Sequence, residues 1–385
     1  ENSFDSSKPV KLHDVQIDGF EKWSERRRLT ADGGGKWITG KFLLELIRDR
    51  FANRPEYPGK YSVSATSLHP YYQCSLKWLF EQVLALENVE IEASLMAENI
   101  TGIVYHNVLN AFFSLLKEKK EMLAEPVYTE QGPSLPEVYG KILEECIDKI
   151  FAEFPLLENG ERPQMSSLTS RFLRAGKRQA FFHLKNCLVK FLALFAGCHV
   201  AGSETLYKTE RGKYFLNGKL DCILEDTSSN DDDEEKKYII VDFKLKYMPS
   251  RVECNGDGEN GLANFQLPMY ITLAEENEKI KVHTALFYSI LNLEPQVIIG
   301  TVEDSQTKKT IPFRTNSRIL HNSEKYNQIL EEFNIKSEQF ANEISTGNFS
   351  VFESKYNKCN ECNYSRICRT VYVINREKNI SLGKL

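Results

Sequence analysis

Two short stretches of this 385-residue sequence contain residue types that can do chemistry. The first, YIIVDFK, carries Asp242 and Lys244 at the end of an apolar run. Side chains alternate between the two faces of a strand, so these two residues are predicted on one face and Phe243 in the opposite layer. The second stretch, KCNECNYSRICR, has three cysteines in a C-x2-C-x5-C spacing. Structural zinc and iron–sulfur sites usually have four protein ligands, so the spacing leaves one ligand to be found.

A second carboxylate is predicted next to the first. Asp221, in GKLDCIL, lies on the strand that precedes YIIVDFK. Neighbouring strands lie less than about 5 Å apart, and two carboxylates at that separation repel unless a cation lies between them. Mg²⁺ is the usual cation where carboxylates act on phosphates, and a lysine beside it can orient water or offset phosphate charge. Taken alone, Asp-x-Lys on an exposed strand is most often only solvated.

The elements that position these residues follow from the periodicity of the apolar side chains. From Ser64 to about residue 200 the pattern is helical, with SATSLHPYYQCSLKWLFEQVLAL as one helix and ENITGIVYHNVLNAFFSLLKEKK as a second. After Gly202 the period becomes two, with a hairpin turning near Arg211-Gly212 and strands at KKYIIVDFKLKY, KVHTALFYSIL and QVIIGTV. Helices are predicted at NFQLPMYITLAEEN and at about 323–344. Strands flanked by helices, with antiparallel and crossover links, indicate an α/β fold with a mixed sheet.

The same pattern predicts how the chain is divided. Residues 1–60 are predicted to be an N-terminal arm or linker, and residues 61–385 a single domain. Inside that domain we expect a helical insertion at about 110–200, an acidic loop at 226–236 and the cysteine-bearing segment 355–370.

The composition is that of an ordinary soluble globular protein, with 41% hydrophobic and 27% charged residues. The apolar runs are shorter than a membrane span and no signal pattern begins the chain, so we expect no membrane partner and a cytoplasmic location. Nine cysteines without an export signal favour reduced thiols and metal ligands over disulfides. The net charge of −5 decides nothing about a nucleic-acid partner: residues 226–235 hold six acids and no base, whereas residues 355–385 hold seven bases and two acids.

The order of the motifs resembles the RecB-like branch of the PD-(D/E)XK nucleases. GKLD, DFK and QLPMY match that family's G-x-x-D, (D/E)-x-K and Q-x-x-x-Y in order and interval, the last through Gln266 and Tyr270. These two residues lie at i and i+4, on one face of a helix. The family's metal-binding histidine, in a G-x-x-x-H context, corresponds to Gly102 and His106. A lone His on an apolar helix is more often an ordinary core or surface residue than a metal ligand. His106 is therefore a candidate only because it belongs to the ordered set of motifs, which covers about residues 61–370.

The resemblance implies a PD-(D/E)XK core, that is, a mixed central sheet flanked by helices, and a metal site. The implied ligands of Mg²⁺ or Mn²⁺ are His106, Asp221, Asp242 and the backbone carbonyl of Phe243. Lys244 would position or activate the water, and Gln266 and Tyr270 would support the lysine and the DNA backbone. An acidic residue often found on the first strand of the family corresponds to Glu204, with Glu210 as the rival.

The resemblance also supplies a fourth cysteine. AddB-type nucleases and their CRISPR-associated relatives end in C-x2-C-x5-C, and their fourth cysteine lies far upstream in a helix-starting segment. SATSLHPYYQCSLKWLF matches that segment, although Ser75 replaces the usual proline. The implied ligands of a 4Fe–4S cluster that staples the N- and C-terminal parts of the domain are Cys74, Cys359, Cys362 and Cys368. Structural zinc remains the alternative, because four thiolates suit Zn²⁺ as well.

The function implied by the resemblance is that of a metal-dependent DNA nuclease. It would hydrolyse phosphodiester bonds as a single-strand exonuclease, together with a helicase, in double-strand-break repair and recombination. No G-x-x-x-x-G-K-[ST] motif occurs, so the motor is expected on a partner subunit or another part of the protein. One alternative is a stand-alone or CRISPR-adaptation nuclease, which the long helical insertion disfavours. The other is a catalytically silent, cluster-bearing DNA-binding subunit, which would need neither the carboxylate pair nor the lysine.

A DNA-binding surface is predicted on the last helix before the strands. Residues 165–203 contain no acidic residue. At about 100° per residue, four basic residues fall within roughly 60° of one helix face. They are Arg171, Arg174, Arg178 and Lys185. An ordinary solvated helix face is equally compatible with this pattern.

Overall fold

A computed structural model of the chain describes residues 36–38, 41–86, 98–153, 167–227, 236–258, 261–302, 319–350 and 362–364. The chain divides into two units. One unit combines Glu1–Asn88 with Glu338–Leu385, and the other is Val89–Ser337. None of the described helices combines the length and the apolar character needed to cross a bilayer. The predicted boundary at residue 60 stays a prediction.

The elements follow one another along the chain in four groups. Before residue 98 the described elements are β1 (Lys36–Ile38), α1 (Lys41–Phe51), β2 (Tyr61–Val63), α2 (Ala65–Gln73), α3 (Ser75–Trp78) and a π-helical turn (Leu79–Val83). The helical region contains α4 (Glu98–Lys119), β3 (Val127–Thr129), β4 (Gly132–Ser134), α5 (Glu137–Glu153) and α6 (Ser167–Phe195). The strand-rich region contains β5 (His199–Arg211), β6 (Tyr214–Asp226), β7 (Lys237–Lys244), α7 (Arg251–Asn255), α8 (Gln266–Glu278), β8 (Val282–Ser289) and β9 (Glu294–Ile299). The last described elements are α9 (Glu324–Thr346) and β10 (Asn348–Ser350).

In the first unit, the segment predicted as one continuous helix from Ser64 is interrupted, so that prediction is wrong. α2 is capped by the Ser64 side chain and ends at Cys74, whose backbone is extended, with φ −165° and ψ 111°. A new helical turn begins directly afterwards. On either side of the break, Tyr71 and Trp78 pack edge-on against Phe340, with ring centroids 4.8 and 5.5 Å from it. Apolar periodicity reports which side chains are buried and does not report a local change of backbone direction.

In the second unit, the strands lie in the order β5–β6–β7–β8–β9. The β5–β6, β6–β7 and β8–β9 pairs are antiparallel, and the β7–β8 pair is parallel. α8 lies between β7 and β8 in the chain and is therefore the crossover connection that a parallel pair requires. The predicted α/β class with a mixed sheet flanked by helices is confirmed.

The core of the second unit lies between the sheet and the helices that precede it. Phe243 on β7 stacks on Phe113 of α4, with ring centroids 5.7 Å apart. It also packs against Phe191 of α6 at 5.6 Å. The prediction that Phe243 turns away from its two polar neighbours into an apolar layer is confirmed, because strand alternation sends successive side chains to opposite faces.

Candidate active site

Three carboxylates lie in one row across β5, β6 and β7. The flanking pairs Ser203–Cys222 and Thr205–Leu220 bring Glu204 level with Asp221. The β6–β7 ladder ends one position before Asp221 and Asp242. Asp221 Oδ2 instead accepts a hydrogen bond of 2.9 Å from the backbone N–H of Phe243, where the next ladder bond would fall. Glu204 itself has φ +47°, an uncommon conformation for a residue with a side chain. The backbone of β5 is therefore irregular where it passes Asp221. The two carboxylates predicted to be neighbours are therefore neighbours.

Both carboxylates of this pair are shielded from water. The side chain of Asp242 is 3% exposed and that of Asp221 is 16% exposed. Burial, followed by repulsion from Asp242, raises the pKa of Asp221 well above the usual range for aspartate. Asp242 Oδ2 is fully buried and makes no hydrogen bond, although Lys244 Nζ lies 2.6 Å away outside hydrogen-bonding geometry. The ammonium group of Lys244 thus offsets the charge of one buried carboxylate, and a further cation would offset that of the second.

His106 comes to the same place from α4. Its Nδ1 lies 3.4 Å from Asp221 Oδ2, and its imidazole forms a hydrogen bond with the backbone of Phe243. Burial lowers the pKa of His106, although the nearby carboxylates act in the opposite direction, and a neutral imidazole is the form that binds metals. A Cβ added to Gly102, one turn earlier, would lie 3.9 Å from Leu245 Cβ, so α4 passes close to the end of β7. The histidine that only the family resemblance singled out is thus adjacent to the carboxylates.

α8 brings Gln266 and Tyr270 to the site. The two side chains are hydrogen-bonded to each other. Burial, followed by repulsion from the two aspartates, raises the pKa of Tyr270, so its hydroxyl lies within electrostatic reach of both. A Cβ on Gly218, the glycine of GKLD, would lie 2.8 Å from Leu273 Cδ1 and 3.2 Å from Tyr270 Cε1. Glycine therefore lets α8 lie close to the sheet here, because a side chain would displace the Leu273 methyl group and crowd the Tyr270 ring.

Two lysines lie against the carboxylate row. Lys244 contacts Asp242 and lies over the Phe287 ring, 5.4 Å from its centroid. Lys219 Nζ lies 2.5 Å from Glu204 Oε1. Sequence reasoning missed Lys219, although its i, i+2 spacing from Asp221 on a predicted strand was a usable signal. Glu210 lies near the hairpin turn, away from the row, so the geometry favours Glu204 over Glu210.

The donor set of this site is of the kind that binds Mg²⁺ or Mn²⁺. It offers two carboxylates, a backbone carbonyl and an imidazole. The two adjacent buried carboxylates and the raised pKa of Asp221 fit a divalent cation. Among the described residues, however, no group of three or more His, Cys, Asp and Glu side chains is arranged to hold an ion. The ligand types and their proximity to one another therefore suit a divalent ion. The side-chain positions, however, do not surround a common point at which the ion could lie.

The other predicted site residues lie elsewhere. Cys74 and Cys362 are half-buried cysteines of the first unit, whereas Cys359 and Cys368 lie outside the described residues. On α6 three of the predicted DNA-binding residues are exposed and Lys185 is half-buried. The exposed residues are Arg171, Arg174 and Arg178.

A mixed sheet that presents two adjacent buried carboxylates, a lysine beside them and a histidine from a flanking helix is the arrangement expected of a nuclease core. A family model described as the PD-(D/E)XK nuclease superfamily matches residues 62–369. Because the match covers most of the chain, the protein belongs to the PD-(D/E)XK nuclease superfamily. Members of this superfamily typically use Mg²⁺ or Mn²⁺. None of the curated proteins compared with the chain matches it, and the RecB-like and AddB-type assignments stay predictions.

Proposed function

We propose that this protein is a metal-dependent DNA nuclease of the RecB-like, AddB-type group that degrades single strands exonucleolytically. The observation that carries the nuclease activity is the cluster of Asp221, Asp242 and Lys244 at the end of the β6–β7 ladder, with His106 3.4 Å from the first carboxylate. The exonucleolytic mode, the helicase partner and the role in double-strand-break repair and recombination rest on the resemblance in motif order alone.

The proposed mechanism assigns a task to each residue of the cluster. The ligands of the divalent ion would be His106, Asp221, Asp242 and the backbone carbonyl of Phe243. When bound, Mg²⁺ or Mn²⁺ supplies positive charge that stabilises the transition state of phosphodiester hydrolysis and lowers the pKa of water. Lys244 Nζ would hydrogen-bond to the attacking water or to a charged phosphate oxygen. Gln266 and Tyr270 would support that lysine and the DNA backbone through their polar groups. Burial of the carboxylates strengthens each of these electrostatic interactions.

The iron–sulfur staple is proposed on a second set of contacts, within the first unit. Its ligands would be Cys74, Cys359, Cys362 and Cys368. Tyr364 donates a 2.6 Å hydrogen bond to the Leu86 carbonyl, and its ring centroid lies 5.4 Å from that of Phe80. These contacts bring the residues just after Cys362 against the helical segment that follows Cys74. A cluster there would close a very long loop of chain, which restricts the unfolded state. Zinc stays the alternative.

The basic stripe on α6, defined as Arg171, Arg174, Arg178 and Lys185, is proposed to bind DNA phosphates. α6 contacts α4, the helix that carries His106, because His183 Nδ1 lies 2.9 Å from the Tyr105 hydroxyl. Tyr105 directly precedes His106, so the helix that carries the stripe packs beside the helix that carries the proposed metal ligand. Positive charge near the carboxylates would favour the approach of a phosphate chain.

The double substitution Arg174→Ala with Arg178→Ala is expected to weaken single-stranded DNA binding without regard to base sequence. Phosphate contacts release counterions, so the slope of log affinity against log salt should become shallower by up to about two. Fluorescence anisotropy with labelled oligonucleotides at several salt concentrations measures both quantities. Lys190→Ala, an exposed base of the same helix outside the stripe, is the matched control and should change neither. Unchanged affinity and slope in a folded double variant would make the stripe ordinary surface.

The proposed function is tested with end-labelled single- and double-stranded DNA in the presence of Mg²⁺, Mn²⁺ or EDTA. We expect linear single strands to be degraded from an end with either metal, no products in EDTA, and intact single-stranded circles. Cleavage of circles would show endonuclease activity. A protein that binds DNA and cuts none of these substrates would be the catalytically silent subunit instead.

A further inference from the structure

The chain just beyond Lys244 carries an exposed aromatic side chain. β7 ends at Lys244, and Lys246 and Tyr247 follow it closely. Tyr247 is 75% exposed, and Lys246 Nζ lies 4.9 Å from the centroid of its ring. Single exposed aromatic residues are common on protein surfaces. This one differs from them in its backbone support, its neighbouring charge and its distance from the catalytic cluster.

The backbone that carries Tyr247 is anchored to the connection between β8 and β9. Ser289 Oγ donates a 3.0 Å hydrogen bond to the Lys246 carbonyl, and Asn292 Nδ2 donates one of 3.2 Å to the same oxygen. Backbone hydrogen bonds of 2.8 and 2.9 Å join the carbonyls of residues 244–245 to the same connection. Ser289 is fully buried, so its bond to Lys246 is shielded from water. The backbone that carries the ring is therefore ordered in advance and loses little freedom on binding.

The backbone at Tyr247 also lies close to the proposed cleavage site. Tyr247 lies three positions after Lys244, so their Cα atoms are at most about 10 Å apart. A phosphate is joined through one sugar to the base on either side of it, so the bases next to a phosphate held at Asp242 and Lys244 lie within about that distance of it. A positive groove interleaved with aromatic rings is the usual means of binding single-stranded nucleic acid. Lys244, Lys246 and Tyr247 provide these two components together.

We propose that Tyr247 stacks on a base of single-stranded DNA next to the scissile phosphate, with Lys246 contacting the adjoining backbone. This inference rests on the proposed nuclease function and specifies its substrate. A base in a duplex has both faces covered by its neighbours, whereas an unpaired strand can offer a face to the ring. Every base has such a face, so the contact selects unpaired DNA without selecting a sequence.

The protein side of the contact is tested by equilibrium binding in an Asp242→Asn background, so that the DNA stays intact. Tyr247→Ala should lower the affinity for a single-stranded oligonucleotide by about five- to a hundredfold. Tyr247→Phe should restore it, because stacking requires the ring and not the hydroxyl. Tyr128→Ala, which removes another exposed tyrosine (51% exposed, on β3), is the matched control and should have no effect. Thermal melting confirms that each variant is folded.

The DNA side is tested with oligonucleotides that carry a single abasic site at successive positions. At one position, loss of the base should weaken the binding of the Tyr247-containing protein and cancel the effect of Tyr247→Ala. At the other positions, the losses of binding free energy caused by the abasic site and by Tyr247→Ala should add. The salt slope should be unchanged by Tyr247→Ala, since a stacking contact releases no counterions.

Two results would overturn the inference. One is unchanged affinity in folded Tyr247→Ala, and the other is an equal loss for normal and fully abasic oligonucleotides. If the unaltered protein cuts single strands while either result holds, the stacking contact is wrong and the proposed nuclease function stands. If the unaltered protein neither cuts nor binds single-stranded DNA, both proposals are wrong.

Discussion

Asp242→Ala is expected to abolish DNA cleavage, lowering the rate by at least about a thousandfold, while the protein stays folded. Asp242 is almost completely buried, lies beside Asp221 and contacts Lys244. Its loss removes one of the two carboxylates proposed to hold the divalent ion and the partner of the lysine proposed to act on water. Lys244→Ala is expected to have nearly the same effect on the rate. The measurement is the rate of product formation from end-labelled single-stranded DNA with Mg²⁺ and with Mn²⁺.

The controls for this experiment separate loss of chemistry from loss of fold. Asp148→Ala removes an exposed aspartate of α5 that pairs with Lys177, and it should leave the cleavage rate unchanged. Asp242→Asn preserves the shape of the side chain and should be as inactive as Asp242→Ala, because the amide cannot replace the charge. Thermal melting should show a cooperative transition for every variant. Full cleavage by a folded Asp242→Ala or Lys244→Ala protein would refute the mechanism.

Cys362→Ala is expected to remove the iron–sulfur cluster and much of the stability of the protein. Purified without air, the unaltered protein should be brown and contain close to four irons per chain. The variant should be colourless. Its free energy of unfolding should fall by roughly 3–5 kcal/mol, by analogy with other links that close long loops. Iron and sulfide analysis, the visible spectrum and denaturant unfolding measure these effects.

Two comparisons make the cluster prediction specific. Cys146→Ala, which removes a buried thiol of α5 outside the proposed ligand set, should keep the colour and the iron content. Asp242→Ala should also stay brown, because the catalytic metal and the cluster are proposed as separate sites. Stoichiometric zinc with neither iron nor sulfide in an anaerobic preparation would contradict the cluster and leave the zinc alternative.

The sequence by itself determined the strand part of the candidate site. GKLD and DFK lie on consecutive strands, and the spacing of neighbouring strands and strand alternation predicted the juxtaposition of Asp221 and Asp242 and the inward turn of Phe243. Local rules suffice for such features, because neighbouring strands have a constant spacing and a period of two. The i, i+4 pair of Gln266 and Tyr270 was predictable for the same kind of reason.

Only the tertiary structure decided which residues from elsewhere complete the site. His106 became a candidate through family resemblance, since no local rule states which face of α4 lies over which strand. The interruption at Cys74 and the anchoring of Tyr247 were not foreseen, and the sequence left Glu204 and Glu210 as rivals. Each depends on packing between segments far apart in the chain, such as that of α8 against Gly218. Periodicity records that a side chain is buried, and only the folded chain determines which partner it meets.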